Sequence, residues 1–180
     1  MGRSARKTLL LCVLLVGALV LASCGGTEAE LEAPEGEPVE LGPLSYNVQI
    51  TRFLNPHDAE DDAYLFGQPD AGKGNTYLGV FLTIENESDV IQNVPQEFEL
   101  VDTRENTFPA SPSESPFALE LGQPIAPLGE VPEPGTAAAS GPIGGSMLLF
   151  LIEESVAENR PLKLEIPARA GPSGAIELDI

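Results

Sequence analysis

The chain contains no tryptophan, one histidine, two cysteines and two methionines. Each shortage excludes something. Cys12 lies inside an apolar leader and Cys24 ends it, so the chain beyond the leader has no thiol pair for a disulfide. A zinc hydrolase wants about three protein ligands, usually with two or more histidines. His57 is the single histidine and cannot meet that need. Copper(I) handling would require several Met and His ligands, yet beyond the leader only Met147 and His57 remain, and Met147 falls in an apolar run that reads as core. A hydrolytic Ser-His-Asp triad is not indicated, since no serine stands in a Gly-x-Ser-x-Gly elbow. The missing tryptophan also removes the usual aromatic platform for sugars.

Basic residues are scarce as well. Nine Lys and Arg stand against 28 Asp and Glu; three of the bases (Arg3, Arg6, Lys7) precede Cys24, which leaves six against all 28 acids, a side-chain net charge of −22. That balance excludes nucleic acid, whose binding depends on Lys and Arg neutralising phosphates. It also opposes docking on anionic lipid headgroups.

The first residues nevertheless carry a clear message. Arg3, Arg6 and Lys7 form a basic stretch, and an apolar run from Leu9 to Ala22 follows. The run is short for a membrane span, which needs about 18 or more apolar residues, and suits an export signal. It ends in Leu21-Ala22-Ser23-Cys24, small residues ahead of a cysteine, which reads as a lipobox. Residues 1–23 are therefore expected to be a lipoprotein signal peptide and Cys24 the lipidated residue. Acyl chains on Cys24 would place the protein at the membrane, on its extracytoplasmic face.

Residues 24–41 are expected to form a disordered acidic tether. Glu28, Glu30, Glu32, Glu35, Glu37 and Glu40 face no base there, and Pro34, Gly36 and Pro38 stiffen the chain. From residue 42 to 180 the pattern turns to period two. Leu44, Tyr46, Val48 and Ile50 alternate with polar residues, as in a half-buried strand. Tyr77–Glu85 and Ser146–Glu153 are apolar on both faces and are expected to be central strands. Further strands are expected at 90–94, 97–101, 107–108, 162–166 and 176–180, with a hairpin at Asp102–Asn106. A Pro/Gly/Ala-rich stretch, 109–145, is expected to be a long mobile crossing between two sheets. Short strands with polar turns and no helical periodicity indicate an all-β sandwich. Leu78, Val80, Leu82, Ile84, Leu100, Leu149, Leu151, Leu164 and Leu178 are the expected core.

Within this pattern Gly79-Val-Phe-Leu-Thr-Ile-Glu-Asn86-Glu-Ser88, Phe98-Glu-Leu-Val-Asp102 and Asn106-Thr-Phe108 stand in order, followed by Pro134-Gly135-Thr136 and Gly145-Ser-Met-Leu-Leu-Phe150. The series resembles the signature of the telokin-like domain-of-unknown-function lipoproteins of Gram-positive bacteria. The resemblance implies an immunoglobulin-like β-sandwich, similar to a secreted mycobacterial immunoprotective antigen, and implies no activity.

One constellation has metal-ligand chemistry. Asp58, Glu60, Asp61 and Asp62 are hard oxygen donors in an acidic loop, the type calcium takes, although their spacing is not that of an EF-hand. The expected role is a non-catalytic binding or interaction module of the envelope, held by its lipid, with a protein or envelope partner, no cofactor and no enzymatic activity. A calcium-handling module is the alternative, and a hydrolase with a carboxylate site the third.

Overall fold

A computed structural model describes residues 31–168 and 171–180. The signal peptide and Cys24 lie outside these residues. In chain order the strands are β1 (Leu31–Pro34), β2 (Val39–Leu41), β3 (Leu44–Leu54), β4 (Asn75–Asn86), β5 (Gln92–Asn93), β6 (Glu99–Val101), β7 (Thr107–Pro109), β8 (Pro124–Ile125), β9 (Glu130–Val131), β10 (Ser146–Glu153), β11 (Leu162–Ile166) and β12 (Gly174–Leu178). A four-residue helix, α1 (Ala137–Ser140), and a 3-10 turn at Glu154–Glu158 interrupt them.

Two sheets carry the fold. One has the order β1-β12-β11-β6-β7 and the other β10-β4-β3-β2, with β9 also on β4. Between them lies the main core, which includes Val80, Leu82, Ile84, Leu100, Phe150, Leu164 and Ile176. The hairpin β11–β12 beside β6, opposite β3, β4 and β10, reproduces the two-sheet immunoglobulin arrangement. The hairpin foreseen at 102–106 joins β6 to β7, with Leu100 opposite Phe108.

Residues 31–41, expected to belong to a disordered tether, instead form strands β1 and β2 and the turn between them. β1 runs parallel to β12, Leu31 opposite Gly174, and β2 pairs antiparallel with β3. Among the described residues, three of the glutamates read as mutually repelling, Glu32, Glu35 and Glu40, find separate partners. Glu32 pairs with Lys163 at 2.8 Å, and Glu40 accepts a 2.8 Å hydrogen bond from the Ser45 hydroxyl. Glu35 answers a β-bulge. The β3–β4 register steps from Val48 opposite Leu82 to Ile50 opposite Phe81, leaving Gln49 as the extra residue. The Thr51 N–H beyond it donates to one Glu35 oxygen and the Asp179 N–H to the other, both at 3.1 Å. The bulge also inverts the alternation: Ile50, expected on the core face, is exposed, and Thr51 is buried.

A second correction concerns the two-sided apolar strands. β4 is central as expected, but β10 is the last strand of its sheet. Its free edge is covered by the 111–119 segment: the Ser111 N–H donates to Leu149 O (2.6 Å), Leu119 N–H to Met147 O (2.8 Å), and Met147 N–H to Phe117 O (2.7 Å). Such cover removes the aggregation hazard of an apolar edge. The outer faces of β4 and β10 are apolar because they carry a second core. There Tyr77, Phe81, Met147 and Leu149 pack against Leu54, Tyr64 and Leu65, with Phe117 and Ile143 alongside. Leu151, expected in the core, lies beyond the reach of this cover and is exposed. The 109–145 stretch does cross from one sheet to the other, but as a shaped path with β8, β9 and α1 along it, the helix capped by the Thr136 hydroxyl on Ala139 N–H.

Candidate functional site

The acidic loop does not gather its carboxylates. Asp58 turns back on its own chain and accepts the Glu60 N–H at 3.0 Å, while Asp58, Glu60 and Asp62 remain exposed. Asp61 points inward and is buried. One of its oxygens pairs with the Arg52 guanidinium and the other accepts the Asn55 N–H at 2.8 Å. Among the described residues no three of His, Cys, Asp and Glu converge as a metal ligand set. The physical role of Asp61 is to fasten the 55–74 loop over the second core. Directly after it, Tyr64 stacks edge-on against Phe81 (5.0 Å between ring centres) and leans on Phe117 (4.7 Å). Burial raises the Tyr64 phenol above its ordinary pKa, against the opposing effects of the Ile143 backbone and the Arg52 charge. Ser115 joins the two covering segments by donating to the Ala63 carbonyl at 2.9 Å.

His57 is exposed at the far end of the sheet, its N–H on Asn55 Oδ1 at 3.0 Å, in a shallow groove that Asp70 and Glu154 also border. Cys24 falls outside the described residues.

Two polar residues whose burial the sequence did not indicate are hubs. Asp102 sits in the β6–β7 turn. It accepts the N–H groups of Arg104 (2.8 Å) and Asn106 (2.9 Å) and the side-chain amides of Asn106 (2.9 Å) and Asn159 (3.1 Å). Burial by itself pushes its carboxyl up, but these hydrogen bonds together hold it below the usual carboxylate range. A group whose pKa is lower folded than unfolded adds stability above its unfolded value, about 4 for Asp, and loses that contribution as pH falls through the folded value. Asp102→Asn should therefore be less stable than wild type at pH 7, with a melting-temperature gap that narrows on acidification below about pH 4. A gap that stays constant from pH 7 to pH 2.5 would show that the charge of Asp102 plays no part. Asn86 is the other hub. It stands at the end of β4 and shapes the turn through Ser88 from a buried position.

An open cleft of about 380 Å³ lies where the β2–β3 turn, the β5 segment and the end of β11 meet. Leu41, Pro43, Leu44, Pro95 and Pro167 make its walls mostly apolar, and Gln92, Asn93 and Gln96 set amides along it. Among the described residues, its lining includes one charged residue, Glu97. Long-range patterning gives no hint of it, because its walls come from three separate loops.

No family model matches the chain, and no curated protein matches it. Solved structures do resemble it. A candidate lipoprotein of Bacillus subtilis subsp. subtilis str. 168, ycdA, aligns over 82% of this chain and 39% of its own, at 12% identity and a TM-score of 0.52. A conserved hypothetical protein from Bacillus anthracis aligns over 78% of this chain and 93% of its own, at 8% identity and a TM-score of 0.51. An uncharacterized β-sandwich protein from Clostridium difficile 630 aligns over 84% of this chain and 96% of its own, at 14% identity and a TM-score of 0.49. At these identities the two likenesses with a TM-score above 0.5 are ones of architecture alone, and the chain's own two packed sheets make it a β-sandwich protein.

Proposed function

We propose that the chain is a lipid-anchored envelope protein of the telokin-like type, acting outside the cytoplasm as a non-catalytic interaction module. The observation that carries this reading is the basic and apolar leader ending in Leu21-Ala22-Ser23-Cys24, with strand β1 beginning only seven residues later at Leu31. Such a leader is removed before the cysteine, and diacylglycerol on the thiol makes a stable anchor when it is joined by a second signal or chain. The buried carboxylates support the non-catalytic part: Asp61 and Asp102 spend their oxygens on holding loops, and His57 is exposed. Cys24→Ala should move the protein from the membrane fraction to the soluble one, or stall its processing. A variant that stays membrane-bound with normal processing would overturn the anchor. An envelope partner should be recovered by cross-linking on the lipidated protein, and turnover of a hydrolase substrate that is lost with His57→Ala would replace the module by an enzyme.

A further inference from the structure

The strand directions place the start of β1 at one end of the sandwich. β1 begins at Leu31, whose N–H donates to Ser173 O at 3.1 Å, and Leu31 stands opposite Gly174. A Cβ on Gly174 would lie 2.9 Å from Leu41 Cδ1 and Val39 Cγ1, so β2 packs directly against this point. Leu41 leads into the Gly42–Pro43 turn, and Pro43 O accepts the Glu87 N–H at 2.9 Å. Ser88 O in turn accepts the Leu128 N–H at 3.0 Å, and Asn86 Nδ2 reaches both Val90 O and Ala126 O at 2.8 Å. The start of β1, the apolar cleft and the loops 86–91 and 126–129 thus share one end.

Among the described residues, that end is where the most exposed aliphatic side chains are. Val90, Ile91 and Leu128 are 54%, 64% and 76% exposed, and Leu31 at the start of β1 is 43% exposed. Exposed apolar groups gathered at one end of a protein this acidic mark a contact surface. The seven residues from Cys24 to Leu31 span at most about 25 Å. The opposite end is a further 40 Å or so away, the length of twelve-residue β4.

We infer that this end of the domain lies on the bilayer that holds the anchor, with Val90, Ile91 and Leu128 seated in the boundary between headgroups and acyl chains. The inference rests on the lipidation of Cys24. Anchoring makes the contact intramolecular, so a few apolar side chains suffice where they would not hold a free protein. The neighbouring Glu87, Asp89 and Glu130 are exposed acids and select the lipid. Seating is favoured on zwitterionic lipid, weakened by anionic lipid, and partly restored there by salt.

The absence of tryptophan supplies the test. Ile91→Trp and Glu158→Trp each give the full lipidated chain a single tryptophan, at the anchored end and at the opposite end. Both are reconstituted into phosphatidylcholine vesicles with or without brominated acyl chains. The expected result is blue-shifted emission for Ile91→Trp that bromine quenches, with Glu158→Trp unaffected. Adding Val90→Asp and Leu128→Asp to Ile91→Trp, at exposed positions that leave the core intact, should abolish the quenching while the protein stays on the vesicles. Retention on vesicles with no quenching at position 91 overturns this inference alone. A chain that is not retained overturns the anchor and this inference with it.

Discussion

Leu82→Ala should cost about 2–5 kcal/mol in urea or thermal unfolding, toward the upper part of that range. Leu82 is fully buried in the main core, opposite Val48 on one neighbouring strand and Ser146 on the other. The cost of a truncated side chain depends on whether its surroundings can close in. Here they cannot close readily. Gly145, at φ +134, sits so near that a Cβ on it would lie 3.1 Å from the Leu82 backbone nitrogen. The strands are already in close contact, and the lost volume stays as a cavity. A domain of this size is stable by only about 5–15 kcal/mol, and the sequence beyond Cys24 has no cysteine for a disulfide. Leu151→Ala is the matching control. It removes the same atoms from the strand next to β4, but Leu151 is exposed, and the loss should stay within about 1 kcal/mol. Equal losses at the two positions would contradict the two-faced packing described for β4 and β10.

That pair of leucines also marks how far the sequence could be read. Period-two alternation and apolar runs located β3, β4, β6, β10, β11 and β12, because those patterns reflect burial on a pleated surface. A run that is apolar on both faces reports that both faces are covered, but not by what. At Met147–Ile152 the covering came from loops, so the strand is at the edge of its sheet, and the cover stops short of Leu151. Alternation also presumes unbroken pairing, and the bulge at Gln49 defeated it for Ile50. Composition misled at residues 31–41 for a different reason. Acids without nearby bases in sequence look repelled, but Lys163, the Ser45 hydroxyl and the Thr51 and Asp179 N–H groups reach them from elsewhere in the chain. The acidic loop taught the same lesson. Asp61 differs from Asp58 and Asp62 in turning inward to Arg52, ahead of it on β3, and to the Asn55 N–H, and a single sequence does not reveal that facing.

Asn86→Ala should destabilise by about 2–4 kcal/mol, and Asn86→Asp by more at neutral pH. The Asn86 amide nitrogen donates to Val90 O and Ala126 O at 2.8 Å and approaches Ile125 O at 3.3 Å. Its oxygen accepts the Ser88 N–H at 3.0 Å and the Ser88 hydroxyl at 2.7 Å. Alanine leaves these groups without their partner, and water reaching the loop tip replaces part of what is lost. Aspartate has nearly the same shape but presents an oxygen where the donor stood, so a charged carboxylate would face carbonyl oxygens from two loops. Burial and those carbonyls would raise its pKa, which makes the folded state bind the proton more tightly than the unfolded chain does. The penalty for Asn86→Asp should therefore shrink as pH falls toward and below the ordinary carboxylate value of about 4, while the penalty for Asn86→Ala should not follow that course. Melting temperatures of both variants between pH 7 and pH 4 decide it, and an aspartate variant as stable as wild type at pH 7 would end the case for Asn86 as a hub. The same side chain holds the 86–91 and 125–129 loops together, the two that carry Val90, Ile91 and Leu128. Loosening it should spread those apolar groups apart, so in the Ile91→Trp background Asn86→Ala should weaken bromine quenching even at temperatures where the sandwich remains folded.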